Sequence, residues 1–148
     1  EDIRQVAKRK RNDNKINIGI IGAISEHKGL KILEEMASIR KQNQNINIII
    51  IGSTSRHVKG IRKTGKFRRD ELPDHIENND IDIIFIPSVW PETFSYTTEE
   101  AMKTGLPVAV FDIGAPAERV RNYEKGLIIS KIDASTALEE IIAFLIKE

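Results

Sequence analysis

Cysteine is absent from the 148 residues, which excludes a disulfide framework and any thiolate metal site and is compatible with a reducing compartment. A charge excess of either sign is also lacking: 23 Lys and Arg face 22 Asp and Glu, for a net charge of +1. No global field therefore argues for nucleic acid or an anionic membrane, and any anion binding has to be local. Long apolar runs are missing too. The longest stretch, Ile46 to Ile51, is far too short to span a bilayer, and the N-terminus lacks the apolar centre of a signal peptide. A soluble, cytoplasmic chain is the expectation. The chain has no initiating methionine and opens on a polar stretch in which Arg4, Lys8, Arg9, Lys10, Arg11 and Lys15 outnumber Glu1, Asp2 and Asp13. Residues 1–15 therefore read as a polar lead-in or linker, as though cut from something longer, and a solvated linker or frayed helix explains the charge run better than a nucleic-acid or membrane arm.

What is present is an alternation of apolar strands and amphipathic helices, in a length suited to one core and one domain, residues 16–148. "INIGIIG" (16–22) is a β-branched run ending in glycine, and "KGLKILEEMASIRKQ" (28–42) sets Leu30, Leu33, Met36 and Ala37 on one helical face. "INIIIIG" (46–52) reads as a strand covered on both faces, as in parallel sheets. A short strand is expected at 64–67, then a modest helix in "RDELPDHIENND" with Pro73 in its first turn. "IDIIFIP" (81–87) is the third strongly apolar strand, followed by a helix over 95–104 that Gly105 and Pro107 end. Strands at 107–111 and 126–130, a short helix over 116–121 and a last helix over 134–146 complete the chain. The pattern predicts an α/β fold: a Rossmann-like, doubly wound, mostly parallel sheet with helices on both faces.

Such sheets bind ligands at the carboxyl ends of their strands, where helix N-termini favour anions. The first exit, "GAISEHKG" (22–29), offers Gly22 for close backbone approach, Ser25 as a possible cap and Lys28 to place an ammonium beside phosphate. It matches neither the GxGxxG fingerprint nor the P-loop, and a tight turn with a solvated lysine is the blander alternative. His27 stands alone, without a second His or Cys at ligand spacing, so it is not expected to be a metal ligand. The exit after the third apolar strand, "PETFSYTTEEAMKTGLPVAVFD" (91–112), sets Glu92 and Glu100 on either side of a helix entrance. Free N–H groups of Ser95, Tyr96 and Thr97 would cradle a diphosphate, and carboxylates accept hydrogen bonds from a sugar's vicinal diol. Two other readings fit the same residues: Thr97-x-x-Glu100 as a capping box with no ligand, and the two glutamates as a glycosidase acid and base.

"PSVWPETFSYTTEEAMKTGLPVAVFDIGAPAERV" (87–120) resembles the Glu-x7-Glu region of retaining GT-B glycosyltransferases of family 4 (group 1), and "IGAISEHKGLKILEEMA" (21–37) resembles the opening of their nucleotide-sugar-binding domain. The likeness runs over most of residues 16–147. It implies one half of a GT-B fold, the C-terminal donor-binding half, with the N-terminal acceptor domain absent from this chain. It further implies that Glu92 lies by the donor sugar, that Glu100 binds the ribose hydroxyls, and that the backbone of Phe94, Ser95, Tyr96 and Thr97 holds the diphosphate and sugar. Lys28 would neutralise phosphate charge as the bond to the leaving nucleotide breaks, beside Gly22, Ala23 and Ser25, and Lys66 and Phe67 would lie near the nucleobase. The implied partners are a nucleoside diphosphate sugar and an acceptor glycan or glycolipid, with no nucleic acid, no cofactor and no metal. Any peripheral membrane association is expected in the absent domain, and polysaccharide or glycolipid assembly is the implied setting. The chain departs from the family where Ala23 replaces a common arginine, with Arg56 a candidate substitute, and where Thr93-Phe94-Ser95 replaces Gly-Phe-Gly. A degenerate, non-catalytic scaffold of the same fold is the alternative. A receiver-like module is disfavoured because the first strand exit offers only Glu26 as an acid.

Overall fold

Isoleucine- and valine-rich runs with no polar face form strands that must be covered on both sides. The computed structural model describes residues 3–7, 13–43, 45–90 and 96–147. Its strands are β1 (Ile16–Ile24), β2 (Ile46–Thr54), β3 (Arg62–Lys63), β4 (Ile83–Ile86), β5 (Val108–Phe111) and β6 (Gly126–Ile129). They lie in the order β3-β2-β1-β4-β5-β6, and every pairing among them is parallel. The helices are α1 (Leu30–Arg40), α2 (Leu72–Asn78), α3 (Tyr96–Lys103), α4 (Gly114–Arg121) and α5 (Ala134–Ile146). This is the expected Rossmann-like, doubly wound sheet.

Side chains alternate along each strand and so divide the core into two layers. Ile18 and Ile20 of β1, Ile48 and Ile50 of β2, Phe85 of β4 and Phe111 of β5 meet Leu33 and Met36 of α1 and Leu138 and Ile141 of α5. Ile49 and Ile51 of β2, Ile84 and Ile86 of β4, and Val108 and Val110 of β5 meet Leu72 and Ile76 of α2, Ala101 of α3 and Val120 of α4. Phe85 and Phe111 pack edge to face, with centroids 5.4 Å apart. Each large apolar side chain buried in this way contributes about 1.5–3 kcal/mol. An exposed ion pair adds about 0–1 kcal/mol, so the two apolar layers, not the charged surface, hold the sheet.

Three segments differ from the sequence expectation. β3 lies at Arg62–Lys63 rather than 64–67. Thr64 and Gly65 still donate to the carbonyls of Ile50 and Gly52, at 2.9 Å each. Gly65, at φ 85°, then turns the chain out of the sheet, leaving Lys66 and Phe67 on the following loop. The single helix expected over 28–42 is split into a 3-10 turn at Glu26–Lys28 and α1. Gly29 between them takes φ 100°, a left-handed conformation that no α-helix contains, so Lys28 precedes the helix instead of starting it. α4 starts at Gly114, two residues before the expected 116; Pro116 sits in its first turn, where the missing N–H costs nothing.

Residues 3–7 of the expected lead-in pack onto the domain. Ile3 is buried, Val6 N–H donates to the Thr104 carbonyl at 3.0 Å, and Arg4 pairs with Asp74 and Glu77 of α2 at 2.8 Å each. Ile3 and Val6 are the large apolar side chains in a mostly polar stretch, and they pack on the core layer of α2 and α3.

Candidate functional site at the β1–β4 switch point

The strand order reverses between β1 and β4: β1 leaves toward α1 on one face and β4 toward α3 on the other. A crevice opens at such a point. Among the described residues, a cavity of about 70 Å3 lies there, lined by Gly22, Ala23 and Lys28 from the β1 side and by Pro87, Ser88 and Thr97 from the β4 side. A Cβ built on Gly22 would meet nothing within 4 Å, so the backbone is open to a ligand there, and Ala23 is exposed beside it.

Gly29 explains how the two sides come so close. A Cβ at that position would stand 2.1 Å from the Pro87 carbonyl oxygen; the turn carrying Lys28 therefore lies directly against the exit of β4. Val89 N–H donates to the His27 carbonyl at 3.3 Å, and the rings of His27 and Trp90 are 5.6 Å apart. Ser25 is the residue before the 3-10 turn. Its carbonyl accepts from the N–H groups of Lys28 and Leu30, but its side chain makes no cap hydrogen bond, contrary to the expected cap. Sequence reasoning did not single out Ser88, a buried serine on the cavity wall. The signal was its place one residue beyond a strand-ending proline.

α3 points its first turn at the same cavity through Thr97, whereas Tyr96 is 77% exposed. Because the helix starts at Tyr96, Thr97 lies inside the first turn and is not the N-cap residue that a Thr97-x-x-Glu100 capping box requires. Glu92, Phe94 and Ser95 lie outside the described residues. Glu100 sits one turn further in, its side chain 22% exposed, and Arg69 Nε donates to its Oε2 at 2.7 Å. Arg69 belongs to the 3-10 turn Arg69–Glu71 that leads into α2, so this contact joins the segment after β3 to α3. Lys66 is exposed. Phe67 is half-buried against the α2 side of the core, its ring edge-on to His75 with centroids 5.8 Å apart.

Arg56 is committed elsewhere. Its guanidinium bonds Glu26 and both carboxylate oxygens of Glu34, at 3.0 and 2.7 Å for the latter, and this holds the Glu34 carboxyl below its usual range. With two carboxylates around it, Arg56 offers little net charge to a phosphate, and the cation missing at Ala23 is not supplied from this residue. Lys28 is thus the cation that the described cavity lining contains.

A larger polar depression, about 500 Å3, lies at the opposite, amino ends of the strands, with Asn17, Asn47, Arg62 and Asp80 in its walls. Its polar groups satisfy one another. Asn17 Nδ2 donates to the Asp80 carbonyl and Asn47 Nδ2 to Asn17 Oδ1, each at 3.0 Å, while Arg62 donates to Asn79 at 2.9 Å. Size favours this depression, but position and chemistry favour the smaller one, where helix and turn N–H groups converge. Among the described residues, no group of three or more His, Cys, Asp or Glu is placed to hold a metal, and no helix is long and apolar enough to cross a membrane.

Known proteins resemble this chain in sequence and in fold. The family model described as "Glycosyl transferases group 1" matches residues 1–148. The lipopolysaccharide core biosynthesis mannosyltransferase LpsB of Rhizobium meliloti (strain 1021) is 39% identical over 67 residues, 44% of this chain and 19% of that protein. Anabaena Alr3699/HepE, solved in complex with UDP, superimposes with a TM-score of 0.70 at 22% identity, over 90% of this chain and 40% of that one. The C-terminal domain of a glycosyl transferase group 1 family protein (LpcC) from Francisella tularensis gives 0.67 at 22% identity, over 90% of this chain and 76% of that one. The chain thus spans a fifth of the curated relative and well under half of HepE, and its fold is one Rossmann-like half of the GT-B architecture. The chain belongs to the glycosyl transferases group 1 family.

Proposed function

We propose that this chain is the donor-binding half of a retaining glycosyltransferase, which transfers a sugar from a nucleoside diphosphate sugar to an acceptor hydroxyl. The observation that carries the reading is the switch-point cavity, which Lys28 and the open backbone at Gly22 line from one side and the first turn of α3 from the other. An ammonium and a helix N-terminus at one cavity suit a diphosphate. They also suit the chemistry: when the bond between the anomeric carbon and the diphosphate oxygen breaks, negative charge grows on that oxygen, and preorganised N–H groups and Lys28 lower its energy without a metal. The acceptor oxygen bonds the anomeric carbon on the face the nucleotide leaves, and its proton passes to the departing diphosphate oxygen.

In this reading the Glu100 carboxylate accepts from the ribose diol and the backbone at 94–97 holds the diphosphate and sugar. Glu92 positions the donor sugar without forming a bond to it, and the loop with Lys66 and Phe67 lies near the base. Residues 16–148 form the donor domain, and the acceptor, a glycan or glycolipid, binds a second domain outside these residues. Support for the ligand class comes from HepE, solved with UDP, and for the setting from LpsB, named for lipopolysaccharide core biosynthesis.

The test is a thermal-shift screen against UDP, GDP, TDP, ADP and their common sugars, with and without magnesium, since a ligand that binds only the folded state raises the melting temperature. A selective shift that needs no magnesium is expected. No shift with any nucleotide moves the reading to a non-catalytic scaffold, and a shift that appears only with magnesium overturns the metal-free part.

A further inference from the structure

The contact between Arg69 and Glu100 joins two segments 31 residues apart, and each has its own part in the donor site proposed above. Glu100 comes from α3, whose first turn faces the cavity. Arg69 comes from the loop after β3, two residues beyond Phe67. We propose that Arg69 is a positioning residue: it holds the Glu100 carboxylate in the orientation that accepts the ribose diol. This inference rests on the donor-domain reading.

The geometry suits such a role. Arg69 Nε engages Oε2 of Glu100. A carboxylate has about four lone-pair sites, so one such bond leaves capacity on both oxygens for hydroxyl donors. The arginine is itself held from a fixed base. Arg68 N–H donates to Glu71 Oε1 at 2.6 Å and Glu71 N–H to the Arg68 carbonyl at 2.8 Å, and the next residue, Leu72, is fully buried. A glutamate side chain alone samples many rotamers, and binding a diol requires freezing them; a partner already holding the carboxylate removes part of that cost from the binding step. Arg69 acts here through Glu100, with no contact to the sugar required.

A purely structural role, tying α2 to α3, predicts something different. It would change the melting temperature and leave the site's preference for a ribose diol intact. Titration calorimetry of UDP, ADP and GDP, each against its 2′,3′-dideoxy form, separates the two. The unaltered chain is expected to prefer the diol by roughly tenfold or more, the worth of a hydrogen bond to a charged group. Arg69→Gln is expected to fold normally, with its side chain half exposed, and to shrink that preference to within about threefold; Arg69→Lys should fall between. Glu100→Gln marks full loss of carboxylate binding. An Arg69→Gln protein that keeps the whole preference overturns the positioning role alone. If the unaltered chain binds none of the three diphosphates, or if Glu100→Gln keeps the preference, the assignment of the donor site falls and the role of Arg69 with it.

Discussion

Gly29 is the residue on which the approach of the β1 exit to the β4 exit depends. Its φ of 100° lies where a side chain costs about 1–2 kcal/mol. Its missing Cβ also leaves room for the Pro87 carbonyl, which would otherwise be 2.1 Å away. The second term is overlap with backbone, which cannot rotate aside, and relief of such overpacking typically costs a further 1–3 kcal/mol, roughly. Gly29→Ala is therefore expected to destabilise by about 2–5 kcal/mol in urea unfolding. Gly65→Ala supplies the control. Its φ is 85°, but a Cβ there would meet nothing within 4 Å, so only the conformational cost of about 1–2 kcal/mol applies. Equal losses at the two positions would mean that the turn carrying Lys28 is free to move away from Pro87, and that the cavity is not held closed by this packing.

Among the elements, α5 has the clearest start. Asp133 Oδ2 accepts from Thr136 N–H and from Thr136 Oγ1, at 2.9 Å each, and the backbone bond chiefly holds the Asp133 carboxyl below its usual range. A carboxyl whose pKa is lowered on folding contributes stability above its unfolded value and loses it as the pH falls through the folded one. Asp133→Asn keeps the cap but not the titration. Its melting temperature is expected to stay close to the parent's near neutral pH, and to change less than the parent's on acidification below about 4; Asp133→Ala should be lower at neutral pH. Identical acid profiles for the parent and Asp133→Asn would remove the linkage. α5 was also legible in the sequence, at 134–146, because its signal is local: apolar side chains at helical spacing. The isoleucine runs of β1, β2 and β4 were legible as strands for the same reason, although β1 and β2 each run two residues past the expected 22 and 52 and β4 is shorter than the expected 81–87. The split before α1 was hidden because "KGLKILEEMA" has helical periodicity through Gly29, which in the structure closes the 3-10 turn in a left-handed conformation. The site divides in the same way. Lys28 and Thr97 were placed by the rule that ligands gather at strand exits. The Arg69–Glu100 and Arg56–Glu34 pairs depend on distances across the fold, which no spacing along the chain records.

Across the whole molecule, the N-terminal strap ties together the elements that carry the candidate site. Arg69 and Glu100 join α2 and α3 near their starts. Residues 3–7 join them near their ends, through Arg4 to Asp74 and Glu77 of α2 and through Val6 to Thr104 just beyond α3. Ile3 fills the apolar layer between. The strap thus has an apolar grip and an ionic one, and pH separates them. Glu77 accepts from both Arg4 and Ala7 N–H, and these bonds, the arginine's foremost, lower its pKa from 4.5 to about 2. Because the folded value is the lower one, the ionic grip is fully present above about 4.5 and is lost as the pH falls toward 2. Arg4 is half exposed and Glu77 a third exposed, so salt should weaken the ionic grip. Arg4→Gln is expected to melt below the parent at neutral pH and low salt, with the gap closing as the pH is lowered through that window. Removal of residues 1–7 takes away Ile3 and Val6 as well, and its deficit should persist in acid. If the Arg4→Gln gap is unchanged between pH 6 and pH 2.5, the charge pair does not fasten the strap; if truncation costs nothing at either pH, α2 and α3 hold their relative positions without it.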